Sequence, residues 1–499
     1  MSDTRPSPLS RRRFLSVTAG AAATVGLAAC SSVHSNTTDT STAESTSSSS
    51  SETSVSGAPA GSDASTSSTG AGSSSSTGSV AGSASAGSGS SGPAKSIGPV
   101  TGTISFGFWG GSTGELAGFT DAKKKFEAAN PGAKVEFKIS PYDGFFSGID
   151  RGIQSGKAPD VFRVDYTTIG KYSSRGLLLD MSPYFSTSEI DAFLPALWDA
   201  VKNKGVPYGV PHQTDTTCIV YDKAAFAAAG ITAVPDKLTD AWTWEEFADV
   251  AAKLRKTLPG NKFPFAYDWT QAGAFRWLSW LYQSGGTLLT PDLSKPAIPS
   301  AAATKAMDFT KSFFTNKWTP SNATIKTSQY SDNFFLSQIV PMSFIGDFLV
   351  PELADPKQGY KGDWAATYLP RDKAAAADLG GNAIVARKDA KNPDLAAAWL
   401  KFLVSENSMK FICEQAIELP TLKSLAGAEL KYTLRPDVVT ICAQQASTIS
   451  DTIVKESTVP AFSAINTVLG DQLELAFHNQ SSEQTISAIA SGVSKALGS

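Results

Sequence analysis

Residue types that carry covalent catalysis are scarce in this chain of 499 residues, which holds three histidines and four cysteines. There is no H-E-x-x-H, G-x-S-x-G or G-x-G-x-x-G pattern. Gly152-Ile153-Gln154-Ser155-Gly156-Lys157-Ala158 comes near a phosphate loop. It is one residue short between its glycines and has Ala where Ser or Thr must hold magnesium. Cys30, Cys218, Cys413 and Cys442 form no C-x-x-C pair, which argues against a zinc or redox site. Whether Cys413 and Cys442 are paired is open; with Cys30 modified, at least one thiol stays free. Asp160 and Asp165 could serve a glycosidase, which needs two carboxyl groups several ångströms apart, but such spacings recur by chance. No cofactor and no metal are expected.

Binding chemistry is better represented. Sugars present apolar C–H faces rimmed by hydroxyls, which suit flat aromatic rings beside carboxylate and amide acceptors. Trp109, Tyr142, Tyr166, Tyr208, Trp269, Trp277 and Trp364 are candidate stacking surfaces. Core packing competes for every one of them. Trp277 and Trp280, at i and i+3 of a helix, read as core.

These residues need elements to position them. Thr103–Trp109 reads as a strand ending in Gly110-Gly111-Ser112, and Asp121–Asn130 as a helix stopped by Asn130-Pro131-Gly132. Val135, Phe137 and Ile139 alternate as a second strand. A helix over Phe145–Ser155 and a buried strand at Asp160–Val164 follow. Such alternation predicts an α/β sheet with crossover connections. In open α/β sheets ligands bind beyond the carboxyl ends of strands, where Trp109, Asp165 and Tyr166 stand. Further along, the polar run His212-Gln213-Thr214-Asp215-Thr216-Thr217 separates two apolar ones. It fits a crossing between two cores, or a loop within one.

The run from Gly205 to Asp222, followed by Lys223-Ala224-Ala225-Phe226, Ala229-Gly230-Ile231, Pro235 and Thr243-Trp244-Glu245-Glu246-Phe247, resembles the extracellular solute-binding proteins of ABC importers, carbohydrate-binding branch. Gly156–Val161 with Gly176–Asp180, Asn333–Phe348 and Gly380-Gly381-Asn382 extend the resemblance over nearly everything after about residue 100. It implies a two-lobed, periplasmic-binding-protein-like α/β fold of type II, its discontinuous lobes joined by a hinge. Residues 100–213 with 380–420 would form one lobe, and 214–379 with 421–499 the other. The implied ligand is a sugar or oligosaccharide, and the implied partners are the transmembrane subunits of an ABC permease. A monomer without catalytic activity is expected. Taken together, the residues expected at the ligand are Trp109, Tyr142, Asp165, Tyr166, His212, Asp215, Trp269, Gly346, Asp347, Trp364, Gly381 and Asn382.

The N-terminal hundred residues read differently. Ser10-Arg11-Arg12-Arg13-Phe14-Leu15 matches a twin-arginine export signal, and Leu27-Ala28-Ala29-Cys30 resembles a lipobox whose Cys30 is lipidated. Residues 1–30 are thus a signal peptide. Residues 31–99, rich in Ser, Gly and Thr, cannot bury enough apolar surface to fold. As a coil of roughly 65 residues they span about 45 Å. The expected location is the extracellular face of the membrane, held by the lipid anchor only. A net charge of −3 offers no basic excess for nucleic acid. Two rivals stand: a lipid-anchored carbohydrate-active enzyme, and a binding protein for a charged solute such as a polyamine. The scarcity of clustered arginines argues against an anion.

Overall fold

The structure, a computed structural model, describes residues 94–499. Strand β1 (Gly102–Trp109) leads through helix α1 (Thr113–Ala129), strand β2 (Ala133–Ser140) and helix α2 (Phe145–Gln154) to strand β3 (Val161–Asp165) and helix α3 (Tyr166–Ser173). Helix α1 starts at Thr113, ahead of the predicted Asp121. The reason is a capping box: Ser112 Oγ accepts from the Glu115 amide, and the Glu115 carboxylate accepts from the Ser112 amide. Next come β4 (Val210–Gln213), β5 (Thr217–Asp222), α4 (Trp244–Thr257), β6 (Phe265–Ala266), α5 (Ala301–Thr315), β7 (Met342–Gly346), β8 (Trp364–Thr367) and β9 (Asn382–Ala386). The rest is helical: α6 (Pro393–Leu403), α7 (Glu406–Ala416), α8 (Pro436–Ala446), α9 (Phe462–Phe477) and α10 (Ser482–Leu497). Thr243 and Glu246 form a capping box at the start of α4, and the Asn392 side chain caps α6, with Pro393 in its first turn.

Two sheets result. The first has the order β2-β1-β3-β9-β4, with β1 parallel to β2 and β3, and β9 antiparallel to β3 and β4. The second runs β8-β5-β7-β6, antiparallel except for β6 beside β7. The chain passes from first to second between Gln213 and Thr217, and returns between Thr367 and Asn382. A third segment lies beside the first crossing: Thr214 and Leu419 exchange both backbone hydrogen bonds, at 2.9 and 3.1 Å.

Helices cover the sheets through apolar faces. Trp399 of α6 packs edge-on against Phe106 and Phe126 beneath the first sheet. Helix α7 presses so closely on α1 that a Cβ at Gly114 would stand 1.8 Å from the Gln415 carbonyl oxygen. That contact explains a glycine inside a helix, where its entropy is otherwise a cost. Helix α8 covers the second sheet, where Cys442, Val438 and Val439 join Cys218, Val220 and Ile345. A further apolar cluster runs from Phe162 and Val164 through Ile219 and Phe344 to α4, α5, α9 and α10. Among the described residues no helix is long and apolar enough to cross a membrane.

Candidate functional site

The crossing strands meet around a cavity. The carboxyl ends of β1, β3 and β4 bring Trp109, Asp165 and Gln213 to it, and the antiparallel start of β9 adds Asn382. Asn382 lies in register with both Asp165 and Gln213. Asp215 enters from the first crossing, Gly380 and Gly381 from the second, and Glu418 from the third segment. Thr270, Phe275, Arg276, Tyr330 and Phe348 close the opposite wall. The space open to water-sized molecules is about 80 Å³.

Arg163, in the middle of β3 and 1% exposed, organises one wall. Its guanidinium donates to Asn382 Oδ1 (2.6 Å), to Glu418 Oε1 (3.0 Å) and to the Glu115 carboxylate, and lies 4.4 Å from the centre of the Trp109 ring. Gln213 Nε2 donates to the same Glu418 oxygen at 3.0 Å. Trp109 also meets the Tyr142 ring edge-on at 5.1 Å, and the Tyr142 hydroxyl donates to Asp165 Oδ2 at 2.7 Å. On the far wall Arg276 sits between Asp268 (3.4 Å) and Asp378 (3.6 Å), with its guanidinium over Phe275. The glycines permit the approach of backbone. A Cβ at Gly380 would stand 1.9 Å from Asp215 Oδ1, and Gly381, at φ +92°, lies against the first crossing.

The electrostatics are dominated by buried carboxyl groups. Burial pushes Asp165 up to about 6, against the opposing pull of the Tyr142 hydrogen bond and Arg163. Burial pushes Asp215 up to about 7; Arg276 opposes the rise, and Asp378 and Asp165 reinforce it. Burial also holds Glu418 and Asp347 well above the usual carboxylate range. His212 goes the other way, to about 3, through burial and the nearby Arg163, so it is neutral at any ordinary pH. Among the described residues no group of His, Cys, Asp and Glu side chains is arranged to hold a metal ion.

Of the residues expected at the ligand, Trp109, Tyr142, Asp165, Asp215, Gly381 and Asn382 line the cavity. The others do not. Tyr166 is buried, its hydroxyl donating to the Gln213 carbonyl oxygen at 3.1 Å. His212 stacks on Phe119 at 5.2 Å, and Trp269 stacks on Tyr267 at 4.0 Å within the core. Gly346 ends β7 under the Phe348 ring, and Asp347 accepts from the Thr216 amide at 3.1 Å, bracing the crossing from behind. Trp364 lies on β8 beneath the Arg435 guanidinium, 3.7 Å from the ring centre. Asp160, the other half of the considered carboxylate pair, accepts from Ser105 and does not line the cavity. Cys30 lies outside the described residues.

Sequence reasoning missed Glu115, Arg163, Gln213, Thr270, Phe275, Arg276, Tyr330, Phe348 and Glu418. Arg163 had a signal: a charge centred in the apolar run Val161–Val164 needs buried partners. Glu115 had one as the N3 member of the Ser112 capping box. Tyr330 and Glu418 arrive from segments whose local sequence carries no such mark.

Comparison with known proteins supplies the remaining observation. The family described as bacterial extracellular solute-binding protein matches residues 110–410. The maltotriose-binding protein of Pyrococcus abyssi is 23% identical over 242 residues, 48% of this chain and 49% of that protein. The diacetylchitobiose binding protein DasA of Streptomyces coelicolor is 25% identical over 316 residues, 57% of this chain and 65% of that protein. The solved structure of an ABC substrate-binding protein from Listeria monocytogenes in complex with cycloalternan superposes with a TM-score of 0.67 at 20% identity, covering 80% of this chain and 100% of that one. The shared architecture is the two-lobed periplasmic-binding-protein fold.

Proposed function

The chain belongs to the family of bacterial extracellular solute-binding proteins, and from that premise we propose that its ligand is a sugar or short oligosaccharide held in the cavity between the two sheets. The observation that carries this reading is the composition of the cavity wall. Aromatic faces (Trp109, Tyr142, Phe275, Tyr330, Phe348) alternate with acceptors (Asp165, Asp215, Gln213, Asn382). Each sugar hydroxyl donates one hydrogen bond, which carboxylates and amide oxygens accept, while the rings cover C–H faces. The names of the relatives point the same way: maltotriose, diacetylchitobiose and cycloalternan are all saccharides.

The lobes we assign are residues 100–213 with 380–420, and 214–379 with 421–499, hinged where 213–217, 378–382 and 417–421 run side by side. Little water-sized space remains between the walls, which supports a closed form that must open to admit a ring. Ligand contacts made only when both walls meet shift the population toward closure. The closed form would then dock on the membrane subunits of an ABC permease. Lipidation at Cys30 and the Ser-rich segment after it would hold the protein at the outer face of the membrane. The binding chemistry needs no covalent step.

A charged solute is the second reading, favoured by one observation: the cavity carboxyl groups Glu115, Asp165, Asp215 and Glu418 outnumber Arg163 and Arg276. Calorimetry with maltotriose, diacetylchitobiose, cycloalternan and spermidine at about 0.05 and 0.5 M salt separates the two. The proposal expects saccharide binding that changes less than about threefold with salt. Binding of spermidine alone, weakening about tenfold or more in high salt, would overturn it.

A further inference from the structure

The second sheet carries a pair of sulfurs that sugar capture does not use. Cys218 is the second residue of β5, opposite Ile345 of β7, in the strand that has just left the first crossing. Cys442 stands in α8, which packs across β5 and β8. Both are fully buried, and their Sγ atoms face each other at 2.6 Å. They share an apolar cluster with Val220, Ile345, Leu349, Val438 and Val439. Burial and the neighbouring Cys218 raise the Cys442 thiol well above its ordinary range, so as a separate thiol Cys442 is inert once packed. Cys413 is different: it is buried in α7 within the core of the first sheet.

An extracellular family places these thiols where disulfides form and persist. We propose that Cys218 and Cys442 are joined by a disulfide in the exported protein, while Cys413 remains a free thiol. The reaction is thiol–disulfide exchange with a disulfide donor. One thiolate attacks the donor and releases a donor thiol; the second thiolate attacks the mixed disulfide and releases the other. The two cysteines give up two protons and two electrons, and the donor disulfide becomes two thiols. Because the folded pair is sealed from solvent, exchange with a donor outside the cell takes place while α8 is transiently lifted from the sheet.

The bond would close a loop between positions 224 apart and tie the C-terminal helices to the sheet-two root of the crossing. Within the first crossing, bending would then be confined to the polar residues Thr214, Asp215 and Thr216. This inference rests on export and not on the identity of the ligand.

The test is a thiol map of the full exported chain. Protein recovered from the producing cells is denatured and alkylated with iodoacetamide without reductant, then digested. The expected result is a linked pair of peptides carrying Cys218 and Cys442, with Cys413 alkylated. Cys442→Ser should turn Cys218 from protected to fully alkylated. Reductant should lower the melting temperature of the wild type and leave that of Cys442→Ser unchanged, a response that mere packing of two thiols does not produce. Alkylation of Cys218 and Cys442 without reductant, or a link through Cys413, overturns the proposal, and the wild-type map decides it even if the variant fails to fold.

Discussion

Trp109 and Trp269 share a side chain and differ in everything around it. Trp109 ends a strand at the cavity, backed by Arg163 and edged by Tyr142; Trp269 is sealed in the core against Tyr267 and Phe477. Trp109→Ala should therefore weaken saccharide binding of the folded fraction about tenfold, roughly 1.4 kcal/mol, in addition to the stability lost with its packing on Tyr142 and Phe145. Trp269→Ala should leave a core void costing about 3–5 kcal/mol in denaturant unfolding, while the folded fraction keeps its affinity. The opposite pattern would exchange their roles. Asp215 makes a prediction of another kind. In the unfolded chain it titrates near 3.9, roughly, but burial pushes it up to about 7 in the folded protein. Between about pH 4 and 7 the folded state then binds more protons than the unfolded one, so stability is fullest at the acid end and falls as pH rises. Asp215→Asn should lessen the fall in melting temperature of the empty protein across that window, the remainder coming from Asp165 and its buried neighbours; an unchanged slope would show that Asp215 does not contribute.

At the scale of elements, β3 shows what was legible and what was not. Its apolar run announces a buried strand, and the alternation around it announces an α/β sheet, so Trp109 and Asp165 could be placed at strand ends by rule. The partners of Arg163 could not, because Glu115, Asn382 and Glu418 come from three distant segments and only the fold brings them together. Aromatic density misled for the same reason: a tryptophan looks alike in sequence whether a sheet or a cavity lies beside it, as Trp269 and Trp364 show. The N-terminal turns of α1 were hidden by Gly114 and Gly118, which read as loop until α7 is seen against them. The buried network yields its own test. Arg163→Met leaves Glu115 and Glu418 in the wall without their guanidinium, which should cost about 3–5 kcal/mol by denaturant unfolding. It should also release the Trp109 ring and lower affinity. A variant as stable as wild type would mean that the network contributes nothing net.

For the whole molecule, the polar run by itself fitted a crossing or a loop within one core, and only the family resemblance favoured the crossing; the structure passes from one sheet to the other there and brings Asp215 and Gly380 into contact. Helix α10 follows from the amphipathic spacing of Ser482–Leu497, but the placement of the helix before it does not: α9 packs on α3, where Gly170 meets the backbone of Val459 and Pro460. Capture by closure is the central claim, and small-angle scattering of the protein with and without a saccharide shown by calorimetry to bind tests it most directly. The radius of gyration should fall when that saccharide is added to wild type, and should fall only about half as far for Trp109→Ala at a free ligand concentration about ten times the wild-type Kd. Superimposable wild-type curves, with the ligand calorimetrically bound, would contradict closure as the means of capture.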